Sequence, residues 1–266
     1  MKKSVYITRT IPSPAVELLQ KSFGVTLNAE DRNAYRREIK KALQHAHALL
    51  CLLTDRIDEE LLANAPNLRI VANMAVGYDN IDLKSATKHR IMVTNTPGVL
   101  TETTADLAWA LILGAARRIA EADSYTREGK FTGWEPMLFL GDDVYGKTLG
   151  VVGFGRIGRA VARRATGFGM SVLYHDEVVA PASVEKKLKA QRVPLKKILR
   201  ESDFVTLHVL LTGATKHLIG ETELKMMKPT AYLINTARGP IVDQKALTEV
   251  LTNRRIAGAG LDVFET

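Results

Sequence analysis

Short apolar runs alternate along the chain with longer segments in which apolar residues recur every three or four positions. The short runs predict buried strands, and the longer periodic segments predict helices with one apolar face. This alternation is typical of an α/β protein with parallel sheets. In the first part of the chain, strands are predicted at 5–8, 24–27, 48–53, 70–74 and 91–94, and helices at 14–22, 32–46 and 58–65.

The pattern is interrupted at "NTPGV" (95–99), where proline and glycine predict a boundary between two domains. A long helix is predicted at 101–129, with Thr101 as its cap and Glu102 as an acid in its first turn. Its first half is apolar on nearly every side, as expected of a helix buried between domains or in a dimer interface. We therefore expect one domain at 1–99 and a second, including this linker helix, at 100–266.

Beyond residue 147, strands and helices again alternate, which predicts a doubly wound nucleotide-binding domain. A sixth strand is expected if the short run at 191–193 pairs with a neighbour. The predicted strands are 148–154, 171–176, 204–209, 232–237 and 257–264, and the predicted helices are 156–169, 195–201, 221–227 and 244–253.

The segment "KFTGWEPMLFLGDDVYGK" (130–147) has no clean period and is predicted to be an arm-like loop that exposes Trp134, Met137 and Phe139. Exposed apolar residues grouped in this way favour contact with a second copy of the chain, so we expect a homodimer. Packing of the same residues within one chain is the alternative.

The composition is ordinary for a globular chain of 266 residues, with 46% hydrophobic and 25% charged residues. The net charge of +8 predicts solvated basic helix faces and suits anionic ligands such as carboxylates and dinucleotides. Aromatic residues are few, so nucleic acid is not an expected partner. No apolar stretch is long enough to span a membrane, so a membrane is not expected either, and no metal site is predicted. The single cysteine, Cys51, lies in an apolar run, so we expect a reduced thiol and a cytoplasmic location.

The strongest motif is "GKTLGVVGFGRIGRAVARRATGFGMSVLYHD" (146–176), in which Gly153, Gly155 and Gly158 follow a predicted strand and open a helix. Gly153 permits a tight turn, Gly155 lets backbone N–H groups approach a pyrophosphate, and Gly158 lets helix and strand pack closely. Asp176 ends the next strand, 18 residues after Gly158, and can accept both ribose hydroxyls of NAD. It would repel the 2′-phosphate of NADP, so NAD is the expected cofactor, although neighbouring basic residues can reverse that preference.

A second motif is "AYLINTARGPIVD" (231–243), in which an apolar strand leads into Arg238. Ligands of open α/β sheets bind at the carboxyl ends of the strands, so Arg238 is expected in the binding crevice. A guanidinium there can bind a substrate carboxylate in bidentate fashion and polarise an adjacent carbonyl. A salt bridge that holds the loop is an equally good interpretation of the spacing alone.

Three blocks together resemble the D-isomer-specific 2-hydroxyacid dehydrogenase family over essentially the whole chain: "VGYDNIDLKSA…NTPGVLTETTADLAWALIL", "GKTLGVVGFGRIGRAVARRATGFGM" and "LINTARGPIVDQKAL". Within that family, "RATGFGMSVLYHD" and "WEPMLFLGDDVYGKT" look most like glyoxylate and hydroxypyruvate reductases. The resemblance implies an α/β fold with a doubly wound, Rossmann-type NAD domain and a second, flavodoxin-like substrate domain.

The resemblance also implies residue roles. Backbone amides of Ala75, Val76 and Gly77 would bind the substrate carboxylate, and Arg238 would act catalytically by binding the carboxylate and the reacting oxygen. Hydride would pass between C4 of the nicotinamide and C2 of the acid, while a histidine paired to a glutamate moves the proton. NAD would be held by Thr104, Gly153, Gly155, Arg156, Ile157, Gly158, Asp176, Thr236, Ala237, Arg238 and Asp262, with Asp262 near the nicotinamide carboxamide.

The chain departs from the family pattern in several turns. Arg90 stands where the family usually has glycine, and Leu210 and Gly213 stand where prolines and acids are common. The family's glutamate lies five residues after Asp262, at position 267, and its histidine lies further on, so both fall beyond Thr266. We therefore expect the last strand and the return helix to be absent from this chain, its activity to be impaired and its exposed apolar edge to lower its stability.

Neither Glu265 nor His208 is expected to replace the missing pair, since His208 is more simply a packed, hydrogen-bonded strand residue. The leading hypothesis is an NAD-dependent enzyme for glyoxylate or hydroxypyruvate. The alternative is an NAD-binding regulatory or scaffold module with little catalysis, similar to relatives that act as transcriptional corepressors. Oxidation of formate or phosphite on the same scaffold is a third and weaker hypothesis.

Overall fold

The computed structural model describes residues 2–30 and 32–265, so Met1, Asp31 and Thr266 lie outside the described residues. The contacts divide the chain into two compact units, Met1–Val99 and Leu100–Thr266, and each is described by itself. That the first unit binds the substrate and the second binds the cofactor is a prediction from the sequence.

The first unit is built on a parallel sheet with the strand order β2-β1-β3-β4-β5, the doubly wound order of flavodoxin-like folds. Apolar clusters cover both faces of the sheet, as parallel strands require. Its strands are β1 (Ser4–Ile7), β2 (Gly24–Leu27), β3 (Ala48–Cys51), β4 (Ile70–Asn73) and β5 (Met92–Thr94), and its helices are α1 (Ser13–Gln20), α2 (Arg36–Leu43), α3 (Glu59–Ala63) and α4 (Leu83–Lys88).

Helix α4 was not expected from the sequence, because a helix of six mostly polar residues has no apolar period to reveal it. It begins where the Asp82 carboxylate accepts a hydrogen bond from the Ser85 amide at 3.0 Å. Arg90, in the turn that follows α4, has a φ of +57°, in the left-handed region. Glycine adopts that conformation without strain, which explains why a glycine would suit this turn.

The second unit is built on a six-stranded parallel sheet with the order β11-β10-β9-β6-β7-β8, the Rossmann arrangement. The α/β fold class and the doubly wound sheets are thus confirmed, and the short sixth strand pairs with β7. The strands are β6 (Thr148–Val152), β7 (Ser171–His175), β8 (Ala190–Arg192), β9 (Phe204–Leu207), β10 (Tyr232–Asn235) and β11 (Gly258–Leu261). The helices are α5 (Thr101–Ala116), α6 (Ile119–Arg127), α7 (Arg156–Ala165), α8 (Ala182–Leu188), α9 (Leu195–Glu201), α10 (Glu221–Met226) and α11 (Gln244–Thr252).

The prediction of one continuous helix at 101–129 is wrong, because the chain turns between α5 and α6 at Arg118. Arg118 has a φ of +54°, and a residue in the left-handed region cannot continue a right-handed helix. Its guanidinium bonds the Glu121 carboxylate and lies over the Phe139 ring, 5.1 Å from the ring centre. These contacts hold the break in place.

Helix α5 buries one face, whereas the sequence predicts burial on nearly every side, and Leu107 and Ala110 are exposed. The buried residues are Ala105, Ala108, Trp109, Ile112 and Ala116. Trp109 stacks on Phe168 with ring centres 4.5 Å apart, and its indole N–H donates to the Val161 carbonyl on α7 at 3.0 Å. Helix α5 therefore packs directly against α7, the helix that the glycine motif opens.

The arm segment, residues 130–145, exposes Trp134 by 83% and Met137 by 76%. The expected exposure of Phe139 is wrong, because this ring is half-buried and packs edge-on against Tyr125 at 5.2 Å. Phe131, Leu140 and Tyr145 are exposed along the same segment. Among residues 2–30 and 32–265, no helix combines the length and apolarity needed to cross a membrane.

Candidate active site

The turn between β6 and α7 brings a strand and a helix closer together than most side chains permit. Gly153 has a φ of +93°, and a Cβ there would lie 2.6 Å from the backbone oxygen of His208. A Cβ on Gly158 would lie only 2.0 Å from the Gly153 oxygen. Glycine is therefore required at both positions for α7 to start where it does.

Gly155 differs from these two glycines because a Cβ on it would meet nothing within 4 Å. It stands just before the ten-residue helix α7, whose first N–H groups have no intrahelical acceptor. The N–H groups of Arg156 and Ile157 donate to no acceptor within the described part of the chain. An open face, unused amides and the positive end of a helix dipole together suit an anionic group such as a pyrophosphate.

The Asp176 carboxylate lies beside the glycine turn, directly after β7. One of its oxygens accepts a hydrogen bond from the Phe154 amide at 2.6 Å, and the other accepts one from the Val178 amide at 2.9 Å. The Arg192 guanidinium, on the neighbouring strand β8, donates to the Asp176 backbone carbonyl at 2.8 Å. The Asp176 carboxylate is thus held in place by two backbone amides, and the Arg192 guanidinium lies close to it.

A cavity of about 420 Å³ runs along the carboxyl ends of β6, β7 and β9. It brings Gly153, Gly155 and Asp176 together, whereas Thr104, Thr236 and Asp262 do not line it. Its opposite wall is the loop after β9, which no sequence motif indicates. That loop follows the point where the strand order reverses, between β9 and β6, which is where open α/β sheets bind ligands. The wall residues are Val209, Leu210, Thr212, Ala214, Thr215 and Leu218.

His208 also lines this cavity. Its Nε2 lies 2.9 Å from the Thr206 hydroxyl, and its backbone N–H donates to the Val152 carbonyl at 2.7 Å. Burial lowers the pKa of the His208 imidazole to about 4, so the ring is neutral at pH 7. This geometry matches the packed, hydrogen-bonded strand histidine that the sequence favours.

The turn after β10 carries Arg238 and is folded by the buried side chain of Asn235. The Asn235 carboxamide accepts from the Ala237 amide at 3.0 Å and donates to the Arg238 carbonyl at 2.9 Å. The half-buried Arg238 guanidinium donates to the Ala237 carbonyl at 2.7 Å. The Thr236 hydroxyl, on a residue only 8% exposed, has no hydrogen-bond partner among the described residues, and a ligand is one way to satisfy such a group.

The segment after β11 passes directly over the same turn. A Cβ on Gly239 would lie 1.8 Å from the Phe264 oxygen. The exposed Asp262 donates its backbone N–H to the Asn235 carbonyl at 3.0 Å. Glu265 lies 2.7 Å from His217 Nε2, and this hydrogen bond lowers the pKa of the Glu265 carboxyl. No sequence pattern indicates the His217–Glu265 pair, which joins this segment to the loop after β9.

In the first unit, the carbonyl oxygens of the turn at 75–77 all accept hydrogen bonds. The Ala75 oxygen accepts from the Thr96 amide at 2.9 Å, and the Val76 oxygen accepts from the Asn95 side chain at 2.8 Å. The Gly77 oxygen accepts from the Asn73 side chain at 2.8 Å. The N–H groups of Val76 and Gly77 donate to no acceptor in the described ranges.

The positive charge of the chain is concentrated in the segment that follows the glycine turn in sequence. Residues 156–200 contain 11 Lys and Arg against 3 Asp and Glu, whereas the rest of the chain has 26 of each. The whole net charge of +8 therefore comes from this one segment. Such a field favours the approach of anionic ligands. Within the described residues, no group of three or more His, Cys, Asp or Glu side chains could hold a metal ion.

The fold and the glycine turn define a protein that binds a dinucleotide at the carboxyl ends of a parallel sheet. Residues 109–266 match the model of a protein family, the NAD binding domain of D-isomer specific 2-hydroxyacid dehydrogenases. A glyoxylate reductase of Thermococcus gammatolerans is 54% identical over 269 residues, which span all of this chain and 80% of that protein. A glyoxylate reductase of Korarchaeum cryptofilum is 56% identical over 266 residues, with the same coverage. The chain belongs to the D-isomer-specific 2-hydroxyacid dehydrogenase family, and its cofactor is a nicotinamide dinucleotide.

Solved structures agree with this assignment. A Thermus thermophilus protein superposes with a TM-score of 0.90 at 42% identity, covering 98% of this chain and 82% of that one. D-lactate dehydrogenase of Aquifex aeolicus, complexed with NAD and lactic acid, has a TM-score of 0.86 at 32% identity, covering 99% and 77% of the two chains. An NADPH-dependent glyoxylate/hydroxypyruvate reductase of Sinorhizobium meliloti, in complex with NADP and malonate, has a TM-score of 0.88 at 31% identity, covering 100% and 81%.

The different surroundings of Gly158 and Gly155 predict different outcomes for their substitution by alanine. Gly158→Ala should lower the free energy of unfolding by roughly 2 kcal/mol or more, because its methyl group collides with backbone. Gly155→Ala should leave the melting temperature nearly unchanged but weaken NADH binding about 10-fold to 100-fold, since its methyl group enters the open face.

Differential scanning fluorimetry and NADH fluorescence titration measure the two effects. Gly167→Ala, at a glycine with open space around it and no left-handed φ, is the matched control and should change neither quantity. Normal NADH affinity in Gly155→Ala would contradict the proposed use of that open face.

Proposed function

We propose that the protein catalyses hydride transfer between NAD(H) and a small 2-oxo or 2-hydroxy acid of the glyoxylate and hydroxypyruvate type. The observation that carries this proposal is the glycine turn with the Asp176 carboxylate fixed beside it by two backbone amides. The similar glyoxylate reductases support the substrate class. None of the comparisons favours the alternative, an NAD-binding regulatory or scaffold module.

The cofactor-binding residues proposed from the sequence fit a dinucleotide. The open face at Gly155 and the unused amides of Arg156 and Ile157 suit its pyrophosphate, and Asp176 suits a ribose. The unpartnered hydroxyl of Thr236 offers a hydrogen bond further along the same sheet edge. The nicotinamide would supply the hydride. The full proposed set is Thr104, Gly153, Gly155, Arg156, Ile157, Gly158, Asp176, Thr236, Ala237, Arg238 and Asp262.

The substrate carboxylate is proposed to bind the backbone amides of Ala75, Val76 and Gly77, and Arg238 is proposed to bind the carboxylate and the reacting oxygen. In the reductive direction, the C2 carbon of the oxo acid would gain a hydride from the nicotinamide, and its oxygen would gain a proton from a general acid, the role that the family resemblance gives to a histidine paired to a glutamate. Negative charge grows on that oxygen as the carbonyl bond opens. The Arg238 guanidinium stabilises this charge, and its planar pair of N–H groups orients the carboxylate.

Replacing Arg238 with lysine tests the proposed function. Arg238→Lys keeps a positive charge but loses the two-pronged geometry, so kcat/KM for glyoxylate should fall about 100-fold with little change in NADH affinity. Stopped-flow absorbance of NADH at 340 nm, on the complete gene product, measures the rate. Arg255→Lys, at an exposed arginine, is the matched control.

Two outcomes would contradict the proposal. If Arg238 only holds its loop by a salt bridge, Arg238→Lys will lower the melting temperature and NADH binding together with the rate. If the unmodified protein binds NADH but reduces neither glyoxylate nor hydroxypyruvate, the proposed substrate class is wrong.

NAD rather than NADP is the proposed cofactor. The Asp176 carboxylate carries negative charge at the position proposed for the ribose, and a 2′-phosphate there would be repelled. The Arg192 guanidinium near Asp176 is a positive charge that could favour NADP, but it donates its hydrogen bonds to the Asp176 backbone carbonyl and does not remove the Asp176 carboxylate. Solved relatives include complexes with each cofactor.

The unmodified protein should bind NADH at least about 10-fold more tightly than NADPH. Asp176→Ser should reduce that ratio by removing the repelling charge, as measured by fluorescence titration with both cofactors. Glu177→Gln removes a charge from the next residue of the same cavity and should leave the ratio nearly unchanged. Equal affinities in the unmodified protein would overturn the proposed preference.

A homodimer is proposed, with the exposed arm segment covered by a second copy. Trp134 and Met137 are among the most exposed large apolar side chains of the described residues. Contiguous apolar exposure of this kind marks an interaction surface.

Placing two charges on this surface should separate the copies. The double substitution Trp134→Asp and Met137→Asp should convert a dimer into a monomer, because carboxylates in an apolar interface lose their hydration. Light scattering coupled to size-exclusion chromatography measures the mass. Leu18→Asp, at an exposed apolar residue of α1, should leave the mass unchanged. An unmodified protein that is monomeric at micromolar concentration would refute the dimer.

A further inference from the structure

Two side-chain amides, those of Asn73 and Asn95, hold the turn that the proposed function assigns to the substrate carboxylate. We propose that Asn73 and Asn95 are positioning residues, which aim the backbone N–H groups of Gly77 and Tyr78 at the carboxylate, beside the Val76 N–H that the backbone of Thr96 orients in the same way. The inference rests on the proposed function and deepens it by assigning roles to residues outside the turn.

The direction of each peptide unit decides where its N–H group points. In a trans peptide, C=O and N–H point to opposite sides, so fixing a carbonyl also fixes the N–H of the following residue. The described chain contains no cis peptide bond. Holding the carbonyls of Ala75, Val76 and Gly77 therefore aims the N–H groups of Val76, Gly77 and Tyr78 the other way. None of these three N–H groups donates to an acceptor in the described residues.

Asn95 holds the middle peptide unit. It follows β5, is half-buried, and donates from Nδ2 to the Val76 carbonyl at 2.8 Å. The next residue, Thr96, donates its backbone N–H to the Ala75 carbonyl at 2.9 Å. The end of β5 thus fixes two consecutive peptide units of the turn.

Asn73 holds the third peptide unit from inside the protein. It is the last residue of β4 and only 2% exposed. Its Nδ2 donates to the Gly77 carbonyl at 2.8 Å and to the Asn80 side-chain oxygen at 3.1 Å. The Cys51 thiol lies 3.5 Å from its Oδ1, so both ends of the Asn73 carboxamide have partners.

A buried network anchors Asn73 in turn. The Asn80 side chain donates to the carbonyls of Leu52 and Asp55, each at 3.0 Å. The buried Asp55 carboxylate accepts from the Thr8 hydroxyl at 2.5 Å and from the Leu52 amide at 2.8 Å. The network therefore ties the carboxyl ends of β1, β3 and β4 together beneath the turn, which makes the turn rigid before any ligand arrives.

A rigid turn favours binding of a carboxylate. A carboxylate is bound best by N–H groups that already point at it, because no reorientation is then needed on binding. A turn of the same sequence with free carbonyls could rotate its peptide planes and present oxygen to the anion. The two amides exclude that arrangement without touching the substrate themselves.

Asn95→Ala is the informative substitution, since it removes one donor at a half-buried site without adding charge. The Kd of oxalate, a non-reacting dicarboxylate measured by calorimetry in the presence of NADH, should rise about 10-fold. The KM for glyoxylate should rise in parallel, with kcat changed less than about 3-fold, and NADH affinity should stay unchanged. Asn73→Ser should also raise the Kd of oxalate and the KM for glyoxylate. It should lower the melting temperature somewhat, because Asn73 is buried.

Asn64→Ala is the matched control, because Asn64 also donates to a backbone carbonyl at 2.8 Å but lies at the end of α3, away from the turn. The inference is overturned if Asn95→Ala binds oxalate and glyoxylate as the unmodified protein does. It is also overturned if Asn95→Ala lowers oxalate affinity, NADH affinity and melting temperature together, because a residue with only a structural role would have that effect. If the unmodified protein binds NADH but neither oxalate nor glyoxylate, the proposed function fails, and the inference fails with it.

Discussion

The close approach of α7 to β6 is the contact on which the rest of the cofactor-binding unit depends. A Cβ on Gly158 would lie 2.0 Å from the Gly153 oxygen, so no other residue type lets the helix begin at this distance from the strand. From that starting point, α7 packs under α5 through Trp109, and its open N-terminus faces the cavity beside Asp176. One backbone-to-backbone contact thus sets both the packing of the unit and the place where an anion can bind.

Most of the fold could be predicted from the sequence, because buried parallel strands are nearly continuous apolar runs whatever surrounds them. The site residues at the strand ends follow from the same pattern, since the glycine motif and Asp176 are local in sequence. Short polar helices could not be predicted in this way. Helices α4 and α8 are six and seven residues long, and neither has an apolar period to mark it.

Contacts between residues far apart in the sequence were also features of the structure that sequence patterns could not predict. Arg118 takes a left-handed conformation that its side-chain type does not signal, and this divides the long helix. The carbonyl of Val76 is held by Asn95, 19 residues away, and Thr8 reaches Asp55 across 47 residues. Such pairs become neighbours only once the sheet has formed, so periodicity within a short window carries no trace of them.

The confinement of the net charge to residues 156–200 has a kinetic consequence. A molecule whose charge is balanced over most of its sequence, with its basic excess in the segment that begins at the glycine turn, attracts anions toward that segment from a distance. Such a field raises the rate of encounter more than the strength of the final complex. It also fades within about 10 Å at 0.1 M salt, so the advantage belongs to dilute media and shrinks as the ionic strength of the surroundings rises.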